Sequence, residues 1–169
     1  MGSLQQALPH AVDEETEEAF VRLLTHKVLG SVRAYVEAVR AVAEACGAEG
    51  VSAVRERALR LAIESSRQAA AEAEDTGLRA YCRALEEGCR GSHEWVKVED
   101  TDTVQAYRFT RCLWAECFRA LNAEELGLWG CELDGPAAAA FNPCIRFRRT
   151  KTLMAGDDCC DHVYYYEKE

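Results

Sequence analysis

A chain of 169 residues with 49% hydrophobic and 29% charged side chains is long enough to bury a core without disulfide or metal staples. Its formal charge of −9 argues against a nucleic-acid partner, which asks for a basic face to displace counterions, and no apolar run approaches the length of a membrane span. The start Met1-Gly2-Ser3 lacks a secretory apolar stretch and Gln6 stands where a myristoylation signal carries Ser or Thr, so the expected location is cytoplasmic. The nine cysteines, odd in number and irregularly spaced, are then expected as free thiols.

In chain order, Asp13, Glu14, Glu15, Glu17 and Glu18 place negative charge where a helix presents its positive end. Phe20, Leu24, Val28, Val32, Tyr35, Val39 and Val42 follow at three- or four-residue steps, which predicts one long amphipathic helix, bent near Gly30-Ser31. Gly47 and Gly50 punctuate it, and an alanine-rich second helix over 51–75 suits close helix-to-helix approach. A third helix is expected over 78–87. Gly88 and Gly91 end the helical half, after which 94–98 and 103–109 read as a hairpin with Glu99-Asp100-Thr101-Asp102 at its tip. A helix over 111–121 follows, then a short alanine run at 137–140 behind Pro136. The chain closes with strands over 145–153 and 159–166 around the turn Ala155-Gly156-Asp157-Asp158. The expected architecture is α+β, one domain whose helical layer (1–91) packs on a four-stranded antiparallel sheet (92–169).

Chemistry concentrates in the second half. Thr110 as N-cap would put Cys112 in the first turn of a helix, where free N–H groups and the dipole lower a thiol pKa, and Glu116 four residues on shares that face as a general base. The alternative is a small buried hydrophobe beside a solvated carboxylate. Asp157, Asp158, Cys160, Asp161 and His162 form the densest polar cluster, with His162 suited to moving a proton near neutral pH; the alternative for Asp157 and Asp158 is capping N–H groups of the turn, the preferred reading for Asp158. Zinc would find donors in Cys160, His162, Cys112 and Glu116, but no CxxC or HExxH spacing is present and no metal is expected. His10, His26 and His93 have no informative setting. Strand alternation puts Arg149 and Lys151 on the face of Ile145, Phe147 and Leu153. There the two cations would hold a small anionic ligand, or Arg149 and Lys151 would pair with Asp134, Asp157 or Glu116, or the strand is an edge strand whose charges reach water. Asn142, before Pro143, is either an amide at the rim of the ligand site or part of a turn.

The runs TRCLWAECFRALNAEELGLWGCELDG (110–135) and RTKTLMAGDDCCDH (149–162) resemble the L-2-amino-thiazoline-4-carboxylic acid hydrolase family, with the likeness spanning residues 92–167. The closing Gly-Asp-x-x-Cys pattern is more distantly similar to 4-vinyl-reductase-type ligand-binding domains. The first resemblance implies hydrolytic opening of a small, carboxylate-bearing sulfur heterocycle without a cofactor. In that expectation Cys112 or an activated water attacks the C=N carbon, Glu116 and His162 move protons beside Asp157 and Cys160, and Arg149, Lys151 and Asn142 hold the substrate. A biosynthetic enzyme that closes a ring on the same scaffold, and a catalytically silent partner or ligand-binding subunit, are the alternatives. The apolar stripe from Phe20 to Val42 asks for a covering surface, which predicts association with a second copy or a related subunit.

Overall fold

Asp13 accepts a hydrogen bond from the Thr16 amide at 2.8 Å and three glutamates follow in the first turn. Helix α1, Glu14–Glu72, therefore begins where its unsatisfied amides meet negative charge. The computed structural model describes residues 10–167; Met1-Gly2-Ser3 and Gln6, on which the expected absence of a leader rests, lie outside the described residues. The bend expected at Gly30-Ser31 falls instead at Gly47, whose φ of 64° and ψ of −158° lie outside the helical region in a conformation open chiefly to glycine. It divides α1 into arms over 14–46 and 48–72.

The first arm buries Val28, Val32, Val36 and Val39. Val28, Val32 and Val36 pack in one cluster with Leu113, Ala115, Phe118 and Met154, so much of the stripe that suggested an outside partner is covered from within the chain. Removing buried apolar surface from water at about 25 cal/mol per Å² fixes this arm in place. The second arm meets the alanine run as its composition suggested: Ser66 Oγ donates to the Ala137 carbonyl at 2.6 Å, and Ala138 is fully buried.

Beyond α1 come α2 (Leu78–Cys89), β1 (His93–Asp100), β2 (Val104–Cys112), α3 (Leu113–Ala120), α4 (Glu124–Glu132), α5 (Asp134–Phe141), β3 (Ile145–Arg148), a 3-10 turn (Leu153–Ala155) and β4 (Cys160–Tyr166). The strands form one antiparallel sheet in the order β1-β2-β4-β3. In this register Tyr107 faces His162, Phe109 faces Cys160 and Phe147 faces Tyr164. Buried Tyr107, Phe109, Ile145 and Tyr164 join Leu78 and Cys82 of α2 in a second apolar cluster.

Two boundaries differ from expectation. β2 runs through Cys112, because Leu113 N–H is the first amide past the ladder and donates to the Ser92 carbonyl at 2.9 Å. β3 ends at Arg148 instead of continuing to Leu153, because Asp161 draws the Thr150 and Lys151 amides to Oδ1 at 2.8 and 2.6 Å. Asp157 Oδ2 takes the Thr152 amide at 2.7 Å. With their N–H groups satisfied by carboxylates, these residues leave the sheet. Helices α4 and α5 had no signal in the hydrophobic pattern.

Candidate functional site

The two apolar clusters meet around a cavity of about 290 Å³ walled by α2, β1, β2, α3, α4, α5 and β4. Phe109, Phe118, Trp114, Leu85 and Met154 make most of its surface apolar, and four thiols from four different elements, Cys89, Cys112, Cys131 and Cys160, point to the same space. Its polar end is built by Asp134, Arg149, His162 and His93.

Asp134 opens α5 directly after α4, and the tight junction turns its carboxylate inward. Arg149, the first residue past β3, donates from Nη1 to Asp134 Oδ2 at 2.7 Å and from Nη2 to the Cys131 carbonyl at 3.1 Å. Its guanidinium lies 5.6 Å from the Phe147 ring centroid, a cation–π distance. The two side chains keep only 15% and 25% of their surface exposed. Burial pushes the Asp134 carboxyl up to about 6, with the Arg149 charge working in the opposite direction.

His162 Nε2 lies 3.9 Å from Asp134 Oδ2. Phe109 and Phe147 stand against its ring at centroid distances of 4.8 and 5.1 Å, and its Nδ1 is 3.5 Å from the Tyr164 hydroxyl. Burial, with Arg149 and His93 adding to it, brings the imidazole down to about 3. The expectation of a histidine that changes charge near neutral pH is therefore corrected: His162 is a neutral donor and acceptor. His93 hydrogen-bonds Ser92 through Nδ1 at 2.9 Å, and burial lowers it too.

Cys112 is itself the N-cap of α3, its Sγ accepting the Ala115 amide at 3.4 Å. Proximity to a helix start would lower its pKa, but burial wins and raises the thiol to about 11, reversing the expected direction. Burial likewise pushes Cys89 up to about 12 and raises Cys131. Cys160 Sγ accepts the Leu153 amide at 3.2 Å and approaches Thr152 Oγ1 at 3.7 Å.

Cys112, Cys160, His162 and Arg149 are thus brought together, and the remaining expected site residues are not. Glu116 is held by Arg111 through Nε at 2.8 Å and Nη2 at 3.0 Å, outside the cavity lining. Lys151 points outward and pairs with Asp158 at 2.8 Å, half exposed; the end of β3 breaks the alternation that would have set it beside Arg149. Asp157 caps the turn. Asn142 caps α5, donating to the Thr76 carbonyl at 2.8 Å and the Tyr166 hydroxyl at 3.0 Å, and its Oδ1 accepts the Cys144 amide. Asp134, weighed earlier only as an ion-pair partner, and Cys131, Cys89, His93 and Trp114 are the site residues that pattern reading missed. Among the described residues, no group of three or more His, Cys, Asp or Glu side chains is placed to hold a metal ion, and no helix is long and apolar enough to cross a membrane.

The family model of L-2-amino-thiazoline-4-carboxylic acid hydrolase matches residues 22–164, which extends the resemblance through both arms of α1. Searches of curated proteins and of solved structures each found no match.

Proposed function

Since the chain belongs to the L-2-amino-thiazoline-4-carboxylic acid hydrolase family, we propose that it is a small-molecule enzyme that hydrolyses a cyclic amidine bearing a carboxylate, with Asp134 and Arg149 at the reacting end of the cavity. The observation that carries this reading is the largely buried pair itself: a carboxyl raised to about 6 beside a guanidinium, opening on an otherwise apolar space.

Arg149 has five N–H donors and uses one on Asp134 and one on Cys131, which leaves it able to bind a substrate carboxylate. Asp134, ionised at neutral pH with a pKa close to it, takes a proton from water as the oxygen adds to the amidine carbon. The tetrahedral adduct collapses to a carbonyl with cleavage of the ring C–S or C–N bond, the proton of the added hydroxyl passing to the former C=N nitrogen and the proton on Asp134 to the departing sulfur or nitrogen. One water is consumed. Neutral His162 orients the attacking or leaving group by hydrogen bonding. Water is preferred to Cys112 as nucleophile, because a thiol raised to about 11 is protonated when the carboxylate is ready to act.

The test is turnover of 2-aminothiazoline-4-carboxylate and related ring acids, read by mass spectrometry as the gain of one water, with a thiol reagent reporting C–S cleavage. Loss of turnover in Asp134→Asn with the fold intact supports the assignment; absence of turnover across the panel in the wild-type protein removes the hydrolytic reading. A ligand-binding or partner-subunit role is the second reading. It is favoured by one observation, that Arg149 donates to Asp134 and so the two charges satisfy each other, and saturable binding without turnover would establish it. A cytoplasmic setting and association with a second or related chain belong to the same proposal. For association, Leu23 and Leu61 on α1 and Val96 and Val98 on β1 are large apolar side chains left exposed.

A further inference from the structure

A second cavity of about 340 Å³ lies between α1, α3 and α4, and it shares Trp114, Phe118, Gly127 and Gly130 with the first. The partition between them is therefore one pair of aromatic side chains on α3, four residues apart, facing two glycines on α4, three residues apart. The glycines have different reasons to be there. A Cβ on Gly127 would meet Met154 Sδ and, at 2.9 Å, Phe118 Cγ, so any larger residue there would make Met154 and Phe118 shift. A Cβ on Gly130 would meet nothing within 4 Å. Its backbone lies inside a helix, where glycine is about 1 kcal/mol less favourable than alanine, so neither a turn nor crowding explains it. What the missing side chain leaves is open space at the partition.

The far wall of the second cavity is Val32 and Tyr35 from the first arm of α1 and Ala58 from the second, and its lining carries no Asp, Glu, Lys, Arg or His. Either cavity alone is at the small end for a bound organic molecule, about 300 Å³. The two lie side by side across this partition, the first charged at Asp134–Arg149 and the second apolar at the α1 end.

We infer that the ligand of this site is an amphipathic ring acid, whose carboxylate end sits at Arg149 and whose apolar substituent passes the Gly130 side of the partition into the pocket between α1, α3 and α4. The head end of this inference rests on the function proposed above; the apolar end rests on the second cavity alone.

The test uses the full chain and a matched pair of probes, 2-aminothiazoline-4-carboxylate and its N-benzyl derivative. Binding is followed by quenching of tryptophan fluorescence, since Trp114 and Trp129 line the second cavity. The N-benzyl compound should bind about tenfold more tightly or better, the worth of burying a group of that size. In Ala58→Phe, which fills the far end of the pocket, the ratio of the two affinities should fall to near parity; Ser31→Phe, on the exposed side of the same pocket, should do the same if the first variant does not fold. Equal affinities in the wild-type protein, or a preference that survives in a folded variant, overturns the inference. The two proposals fail separately. Tight binding of the N-benzyl compound without turnover of either probe leaves the apolar pocket standing and removes hydrolysis, whereas turnover of the parent with no gain from the benzyl group does the reverse.

Discussion

Arg149 Nη1 lies 2.7 Å from Asp134 Oδ2, joining the first residue past β3 to the first residue of α5 across the wall of the cavity. Burial raises the Asp134 carboxyl and the guanidinium holds it down, so the charge state of Asp134 depends on Arg149. Removing Arg149 alone leaves a carboxylate that must be neutralised. Arg149→Met is expected to cost about 2–3 kcal/mol at pH 8, below the full range for a fully buried pair because Asp134 retains some exposure. The cost should shrink at pH 5, where Asp134 takes up a proton, and Arg149→Met/Asp134→Asn should recover much of it. Denaturant titrations at the two pH values measure this, and a loss independent of pH and of Asp134 would show that the arginine acts by packing alone.

The pH dependence of catalysis separates the two nucleophiles. If water is activated by Asp134, kcat/KM falls as pH drops through about 6, where the base becomes protonated, and levels off above pH 7. Attack by Cys112 predicts a rate still climbing at pH 9, because its thiol stays protonated up to about 11. Cys112→Ser is accordingly expected to keep turnover within a few-fold of wild type. A serine variant that folds and is inactive would restore the thiol as nucleophile.

Period-two alternation along 159–166 sets Cys160, His162, Tyr164 and Tyr166 on one face, and that face is inward: Cys160 and His162 line the cavity, Tyr164 is fully buried and Tyr166 packs against the same core. The same reasoning misplaced Lys151, since it assumed an unbroken strand where Asp161 and Asp157 take the backbone amides of residues 150–152. Alternation fails at the first residue whose amide finds a side-chain acceptor. Asp134 was visible as a possible partner for Arg149, but its place in the cavity was not, because α4 and α5 lack the three- and four-residue apolar stripe that announces a helix. Glycines take the cavity-facing positions of α4 and alanines fill the packed face of α5. The thiol pKa went the wrong way because sequence gives the position of Cys112 at a helix start and says nothing of how deeply that start is buried.

His162 and Asp134 should leave opposite marks on stability against pH. The folded-state pKa of His162 is about 3, below the ordinary value near 6.5, so the unfolded chain binds more protons between them. Its contribution is full above pH 6.5 and is lost as pH falls toward 3. Asp134 is raised to about 6, so the folded state binds more protons between about 4 and 6, and stability from this group is lost as pH rises through that window. Asp134→Asn should therefore steepen the fall in stability from pH 6.5 to 4, and adding His162→Gln should flatten it again by up to about 1.4 kcal/mol per pH unit. Chemical denaturation at half-unit steps of pH tests both signs; an unchanged slope in the double variant would mean that His162 is protonated in the folded protein.

Thiol reactivity gives the last discrimination. Cys46 is the exposed cysteine, on the first arm of α1 beside the Gly47 break, whereas Cys82, Cys89, Cys117, Cys159 and Cys160 are buried and Cys112, Cys131 and Cys144 are intermediate. Thiolate fraction and access together set the alkylation rate, and Cys112 is poor in both. Brief iodoacetamide treatment near neutral pH should label Cys46 first by mass-spectrometric mapping, with Cys112 and Cys131 modified slowly. A ligand in the cavity should slow Cys112 and Cys131 further while leaving Cys46 unchanged, because only the first two line the site. Preferential labelling of Cys112 would mean that the helix start outweighs burial at this thiol, and the case for water as the nucleophile would lose its physical basis.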